Sequence, residues 1–173
     1  MTGGVLVAGI GNIFLSDDGF GVEVVNRLGA TPLPTGVRVE DFGIRGVHLA
    51  YELLDGCDGL ILVDAVPMGE APGTVAVIEP EDDGTLEPGP VDQGFDAHSM
   101  SPEVVLGTLS RLGGTVERIY VVGCQPACLD EGMGLSPVVE GAVDDAVAVC
   151  RQLAAELVRL VGKVTVGCWL GLW

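Results

Sequence analysis

Short apolar runs and stretches with helical spacing alternate along this chain. Val5-Leu6-Val7-Ala8 is a compact apolar run closed by glycines, the signature of a buried strand. Ser16-Asp17-Asp18 then reads as a helix start, with Ser16 as the cap and two acids in the first turn, and Val22, Val25 and Leu28 follow at helical spacing. Val37-Arg38-Val39-Glu40 alternates as a second strand, and Gly46 to Leu54 carries a short helical pattern. Leu60-Ile61-Leu62-Val63 is a third strand ending at Asp64, and Thr74 to Ile78 is a fourth, set off by Pro72-Gly73. An acidic loop rich in proline and glycine, Glu79 to Ala97, leads to Ser101-Pro102, which opens a helix reaching about Leu112. Ile119 to Gly123 is the fifth strand. Ser136-Pro137 repeats the serine–proline start, and Val139, Ala142, Val143, Ala146, Cys150, Leu153, Leu157 and Leu160 share one helical face.

Strands alternating with helices predict an α/β fold, a three-layer α/β/α sandwich around a mostly parallel central sheet of about five strands. The fourth strand follows the third too closely for a helical crossover, so it should be antiparallel or at an edge. No repeat or linker divides residues 1–173, so a single domain is expected, with the tail after residue 162 unassigned. That tail is oddly apolar and holds both tryptophans, Trp169 and Trp173, which suits a sixth strand or a contact surface.

Composition narrows the class. Of 173 residues, 48% are hydrophobic and 19% charged, the balance of a folded globule rather than a disordered chain. The formal net charge is −17, which repels phosphate backbones and argues against nucleic acid as a partner. No apolar run is long enough to span a bilayer, and no basic segment precedes an apolar one at the start, so a cytoplasmic protein is expected. The five cysteines lack a disulfide framework and fit buried, reduced thiols.

Gly9-Ile10-Gly11-Asn12 follows the first strand and invites a dinucleotide-loop reading, but Phe14 stands where the third glycine belongs. A tight strand-to-helix turn explains the two glycines better. In open α/β sheets, sites gather beyond the carboxyl ends of the strands. Asp17 and Asp18 follow the first strand, Asp64 ends the third, and the long loop delivers His98. Two carboxylates and an imidazole can ligate a divalent metal and leave positions open for substrate. Each also has an ordinary explanation: helix-dipole partners for Asp17 and Asp18, a turn cap for Asp64, a solvated loop position for His98. His48 lies in a helical pattern where an ordinary role is expected. There is no Gly-x-Ser-x-Gly elbow, no His-Glu-x-x-His helix and no cysteine in an electropositive setting.

Several segments, taken in order, resemble the hydrogenase maturation proteases. These are Gly9-Ile10-Gly11-Asn12 with Ser16-Asp17-Asp18-Gly19-Phe20-Gly21, Leu62-Val63-Asp64-Ala65, and Ala97-His98-Ser99-Met100-Ser101-Pro102. Gly123-Cys124-Gln125-Pro126 and Gly134-Leu135-Ser136-Pro137 with Glu140 complete the series, which spans the chain to about residue 160. The resemblance implies a sheet between helices and an endopeptidase. Such an enzyme removes the C-terminal extension of a nickel–iron hydrogenase large-subunit precursor after nickel insertion. It implies that Asp18, Asp64 and His98 contact the metal and carry the catalysis. The nickel is then carried by the substrate precursor, the implied partner. Substrate contact is assigned to Asn12, Asp41 and Gly43. Two departures stand out: the family often has Glu where Asp18 stands, and Asp41-Phe42-Gly43-Ile44-Arg45-Gly46 replaces its common Asp-Gly-Gly-Thr form. The second leaves the preferred precursor open. A non-proteolytic nickel-binding chaperone would use the same three ligands and is the alternative. A nucleotide-binding domain is disfavoured by Phe14.

Overall fold

The computed structural model describes residues 3–80 and 101–166. Five strands form one sheet in the order β2-β1-β3-β5-β4. They are β1 (Val5–Ile10), β2 (Val37–Gly43), β3 (Gly59–Ala65), β4 (Val75–Ile78) and β5 (Ile119–Cys124). β1 pairs in parallel with β2 on one side and β3 on the other, and β3 pairs in parallel with β5. β4 runs antiparallel to β5 at the sheet edge, as its short connection from β3 requires. β1 and β3 are buried along their whole length, which is why their sequences read as continuous apolar runs rather than alternating ones.

Helices cover both faces. Alternate residues of the strands divide the interior into two cores. Val5, Val7, Ile61, Val63 and Val122 face α1 (Phe20–Gly29) and α5 (Val143–Val166). Leu6, Ala8, Ile10, Leu60, Leu62 and Val121 face α2 (Gly46–Leu54) and α3 (Pro102–Arg111). α1 contributes Phe20, Val24, Val25 and Leu28 to the first core, each worth about 1.5–3 kcal/mol when fully buried. It lies unusually close to the sheet. A Cβ on Gly21 would stand 2.1 Å from the Val63 carbonyl oxygen, and one on Gly9 would stand 2.4 Å from that of Gly21. The glycines around the first turn therefore serve helix-to-strand contact. Gly11 serves the turn itself, with φ +130°.

Because the chain leaves β1 toward β2 and returns across it to β3, the strand order reverses between β1 and β3. Their carboxyl ends open a crevice there. The chain after β5 passes beside the turn that follows β1, where Ala127, Cys128 and Ser136 bond Asp17, before α4 (Pro137–Glu140) and α5.

Three local expectations are corrected. Ser16 is no helix cap: it begins a 3-10 turn (Ser16–Gly19) with φ +53°, and its hydroxyl donates 2.9 Å to the Asp130 carbonyl instead. The single helical face from Val139 to Leu160 is split, because the chain breaks between α4 and α5 around Gly141-Ala142. The helix also runs past the expected end, so Val164–Val166 are helical and do not start a sixth strand. The rest of the apolar tail lies outside the described residues. Cys57, Cys124, Cys128 and Cys150 are free thiols, and burial pushes Cys124 up to about 11 and Cys150 up to about 12.

Candidate functional site

Asp18 and Asp64 meet in the crevice. Asp64 is the penultimate residue of β3 and only 3% exposed. Its Oδ1 has no hydrogen-bond partner, the one orphaned buried side-chain oxygen or nitrogen among the described residues. Burial pushes its carboxyl well above the ordinary value of 3.8, the nearby Asp18 charge adds to the rise, and Glu103 adds more, against a main-chain hydrogen bond at Ala65. Asp18 sits in the 3-10 turn after β1 and is half-buried. Burial raises its pKa too, opposed by the Asn12 amide, which donates 2.7 Å to Asp18 Oδ2. Gly11 lies between them: a Cβ there would stand 1.9 Å from the Asp18 carbonyl oxygen and 3.7 Å from Asp64 Oδ1. No larger residue fits where these two acids converge.

Two adjacent carboxylates, one orphaned and both disfavoured as anions, call for a cation or a proton. This is the donor chemistry of a hard or borderline divalent ion. His98, the expected third ligand, lies outside the described residues. Among the described residues no group of three metal-ligating side chains forms.

Asp17 separates from Asp18 in role. It is fully buried, and its carboxylate accepts four hydrogen bonds: from the Ala127 amide at 2.8 Å, the Cys128 amide at 2.9 Å, the Ser136 amide at 2.6 Å and the Ser136 hydroxyl at 2.9 Å. Burial alone would raise its pKa, but the four donors together hold it below the ordinary value. It has no free acceptor facing the crevice. Sequence patterning could not separate the two aspartates, because the donors come from a segment more than a hundred residues away.

Beside the carboxylates runs a groove of about 410 Å³ lined by Asn12, Asp41 and Gly43 together with Ile13, Phe14, Ile44 and Arg45. The three residues assigned to substrate contact thus share one groove. Phe14 is 61% exposed and Ile44 51%, so apolar side chains stand in solvent beside the buried acids. Arg45 is held at the rim, where its guanidinium donates 2.5 Å to the Asp41 carbonyl and 3.3 Å to that of Phe42. Phe14 was notable in the sequence only as a missing glycine; the structure places it, exposed, along the groove. His48 lies on α2, exposed. No helix among the described residues is long and apolar enough to cross a membrane.

A family model described as hydrogenase maturation protease matches residues 22–152. The hydrogenase expression/formation protein HupD of Rhodobacter capsulatus is 34% identical over 168 residues, covering 94% of this chain and 77% of that protein. A putative hydrogenase maturation protease of Methanocaldococcus jannaschii is 35% identical over 149 residues, covering 84% of this chain and 92% of its own length. Among solved structures, the hydrogenase maturating endopeptidase HybD from Escherichia coli superposes with a TM-score of 0.71 at 29% identity, covering 88% of this chain and 93% of that one.

Proposed function

The chain belongs to the hydrogenase maturation protease family, and from that premise we propose that it reads a nickel ion carried by its precursor through Asp18, Asp64 and His98. Its activity is that of an endopeptidase processing the C-terminal end of a hydrogenase large-subunit precursor. The observation that carries the nickel reading is the pair of carboxylates at the strand-order reversal, with Asp64 Oδ1 buried and without a partner. Glu103, at the start of α3, is close enough to raise the Asp64 pKa. His98 precedes it by five residues, a span of at most about 18 Å when extended, so the chain can bring the imidazole to the same crevice.

In this reading the precursor's C-terminal segment lies in the groove between Phe14 and Ile44, with Asn12, Asp41 and Gly43 along it. The nickel already held by the precursor meets the two carboxylates and the imidazole. That contact would fix the scissile peptide against the crevice, and the chemistry such an ion would supply is Lewis-acid polarisation of a carbonyl. A water attacks the carbonyl carbon. One carboxylate of the pair takes the water's proton and passes it to the leaving amine, so the peptide bond breaks with no net proton change. A non-proteolytic chaperone is not favoured, because the matching family model and two of the relatives are named as maturation proteases.

The test incubates the protein with nickel-loaded and nickel-free precursor and follows intact mass. Loss of the C-terminal peptide only from the nickel-loaded precursor is expected. Equal cleavage of both would show that the metal is not what these residues read, and binding without cleavage would restore the chaperone.

A further inference from the structure

The segment between β5 and α4 is tied to both carboxylate-bearing strand ends at once. On one side Asp17 gathers the Ala127, Cys128 and Ser136 amides and the Ser136 hydroxyl. The main chain reinforces this tie. Ser16 N donates 2.8 Å to the Gly132 carbonyl, Gly132 N donates 2.9 Å to that of Phe14, and Asp17 N donates 3.1 Å to that of Cys128. On the other side Gln125 reaches the chain just beyond Asp64. Its Oε1 accepts from the Met68 amide at 2.6 Å and the Glu70 amide at 3.3 Å, while Val66 N donates 2.9 Å to the Cys124 carbonyl. Gln125 also bonds through its main chain to Gly73 and Thr74.

Both ties are polar contacts, made by a buried carboxylate and an amide side chain. A carboxylate taken fully out of water is tolerated only when its acceptors are filled, and here all the donors come from one segment. Asp17 adjoins Asp18 in the same 3-10 turn, and that turn is otherwise short and irregular. The turn's orientation therefore depends on what holds Asp17. The Asp18 carboxylate is held by the Asn12 amide and Asp64 Oδ1 has no partner, so the two side chains do not hold each other in place. A fixed gap between them needs an external frame.

We propose that residues 125–136 form a brace, with Asp17 and Gln125 as positioning residues that set Asp18 and Asp64 at a fixed separation for the precursor's metal. The proposal rests on the functional reading above, but its central readout does not. The amide of Asn12 donates to Asp18 Oδ2, so its hydrogen exchange reports directly on whether Asp18 is held.

The test takes Asp17→Asn, Ser136→Ala, Gln125→Leu and Gln125→Glu. In the free protein, Asn12 exchange should rise about tenfold in the first two variants while Val7 and Leu62 in the sheet stay protected. With nickel-loaded precursor, kcat should fall about 100-fold in Asp17→Asn and Gln125→Leu at unchanged KM, the scale expected for an ångström of misplacement. Gln125→Glu keeps the Oε1 acceptor and should restore kcat. Ser136→Ala removes one donor alone, so it remains informative if Asp17→Asn fails to fold. Wild-type Asn12 exchange in both Asp17→Asn and Ser136→Ala overturns the brace. So does faster exchange spread equally through Val7 and Leu62, which would make these residues supports of the whole fold. If the wild-type protein leaves every precursor intact, the functional reading fails while the exchange result still decides the brace.

Discussion

Asp64→Asn should make the free protein more stable at neutral pH while abolishing processing. Asp64 is buried, its Oδ1 has no partner, and Asp18 and Glu103 oppose its ionisation. An acid whose folded pKa lies above its unfolded value gains protons on folding. Between those values the unfolded state binds fewer protons than the folded one, so stability falls as pH rises. The wild type is then at its best near and below the ordinary 3.8, and loses stability upward until the raised folded pKa is passed. Asparagine nearly matches the shape and carries no charge, so it removes this loss. An ionised acceptor left buried without a partner costs at least about 1–3 kcal/mol, and one kcal/mol shifts the midpoint by about 2–4 °C in a chain of this size, so removing the charge in Asp64→Asn should raise the midpoint by roughly 2–12 °C at pH 7.5. The gap should close at pH 4, where both side chains are neutral. Thermal unfolding of the two proteins from pH 4 to 8 measures it. Parallel curves, or a lower midpoint for Asp64→Asn at pH 7.5, would refute the argument from burial. Asp18→Asn should recover part of the same gain, since its charge is the second cause of the Asp64 shift.

Other outcomes follow from single contacts. Phe14→Ser should raise KM for the precursor about tenfold at unchanged kcat, because an exposed aromatic beside the groove contributes binding area and not chemistry; steady-state processing kinetics read it. Gly21→Ala should destabilise by about 3 kcal/mol, since its Cβ would meet the Val63 and Ile10 carbonyl oxygens at 2.1 and 2.4 Å; urea unfolding gives the value, and a loss under 1 kcal/mol would contradict the close packing of α1. His98→Ala should end processing with the melting midpoint unchanged, while His48→Ala, at an exposed α2 position, should process normally in a gel-shift assay.

The fold was legible wherever burial was complete. β1 and β3 carry unbroken apolar runs because both faces of a central parallel strand are covered, and the short β3–β4 connection forced β4 to the edge. The site was legible only as residue types at strand ends. Asp17 and Asp18 are equivalent in any pattern, yet one is a filled acceptor inside the protein and the other faces the crevice. The difference lies in amides from Ala127, Cys128 and Ser136, whose approach is set by the tertiary fold. Ser16 misled for the same reason: its hydroxyl found a carbonyl across the loop at Asp130 before it could cap the turn. The break at Gly141-Ala142 escaped notice because the apolar face continues through it, so periodicity alone joins α4 to α5.

On the proposed reading, the electrostatics of the carboxylate pair favour a metal brought by the precursor. Burial raises the pKa of both Asp18 and Asp64, so protons compete with a cation for these oxygens more than they do at ordinary carboxyls. A free aqueous ion must also give up water for an incomplete ligand set, and little affinity remains. A nickel ion held by the precursor arrives already partly coordinated and attached to a peptide that fills the groove. The groove contacts and the metal contacts then form in one encounter, and the first raises the effective concentration for the second. On the proposed reading, an empty precursor loses the metal contribution and leaves Asp64 Oδ1 without a partner. Discrimination thus comes from what the unloaded complex lacks as well as from what the loaded one gains.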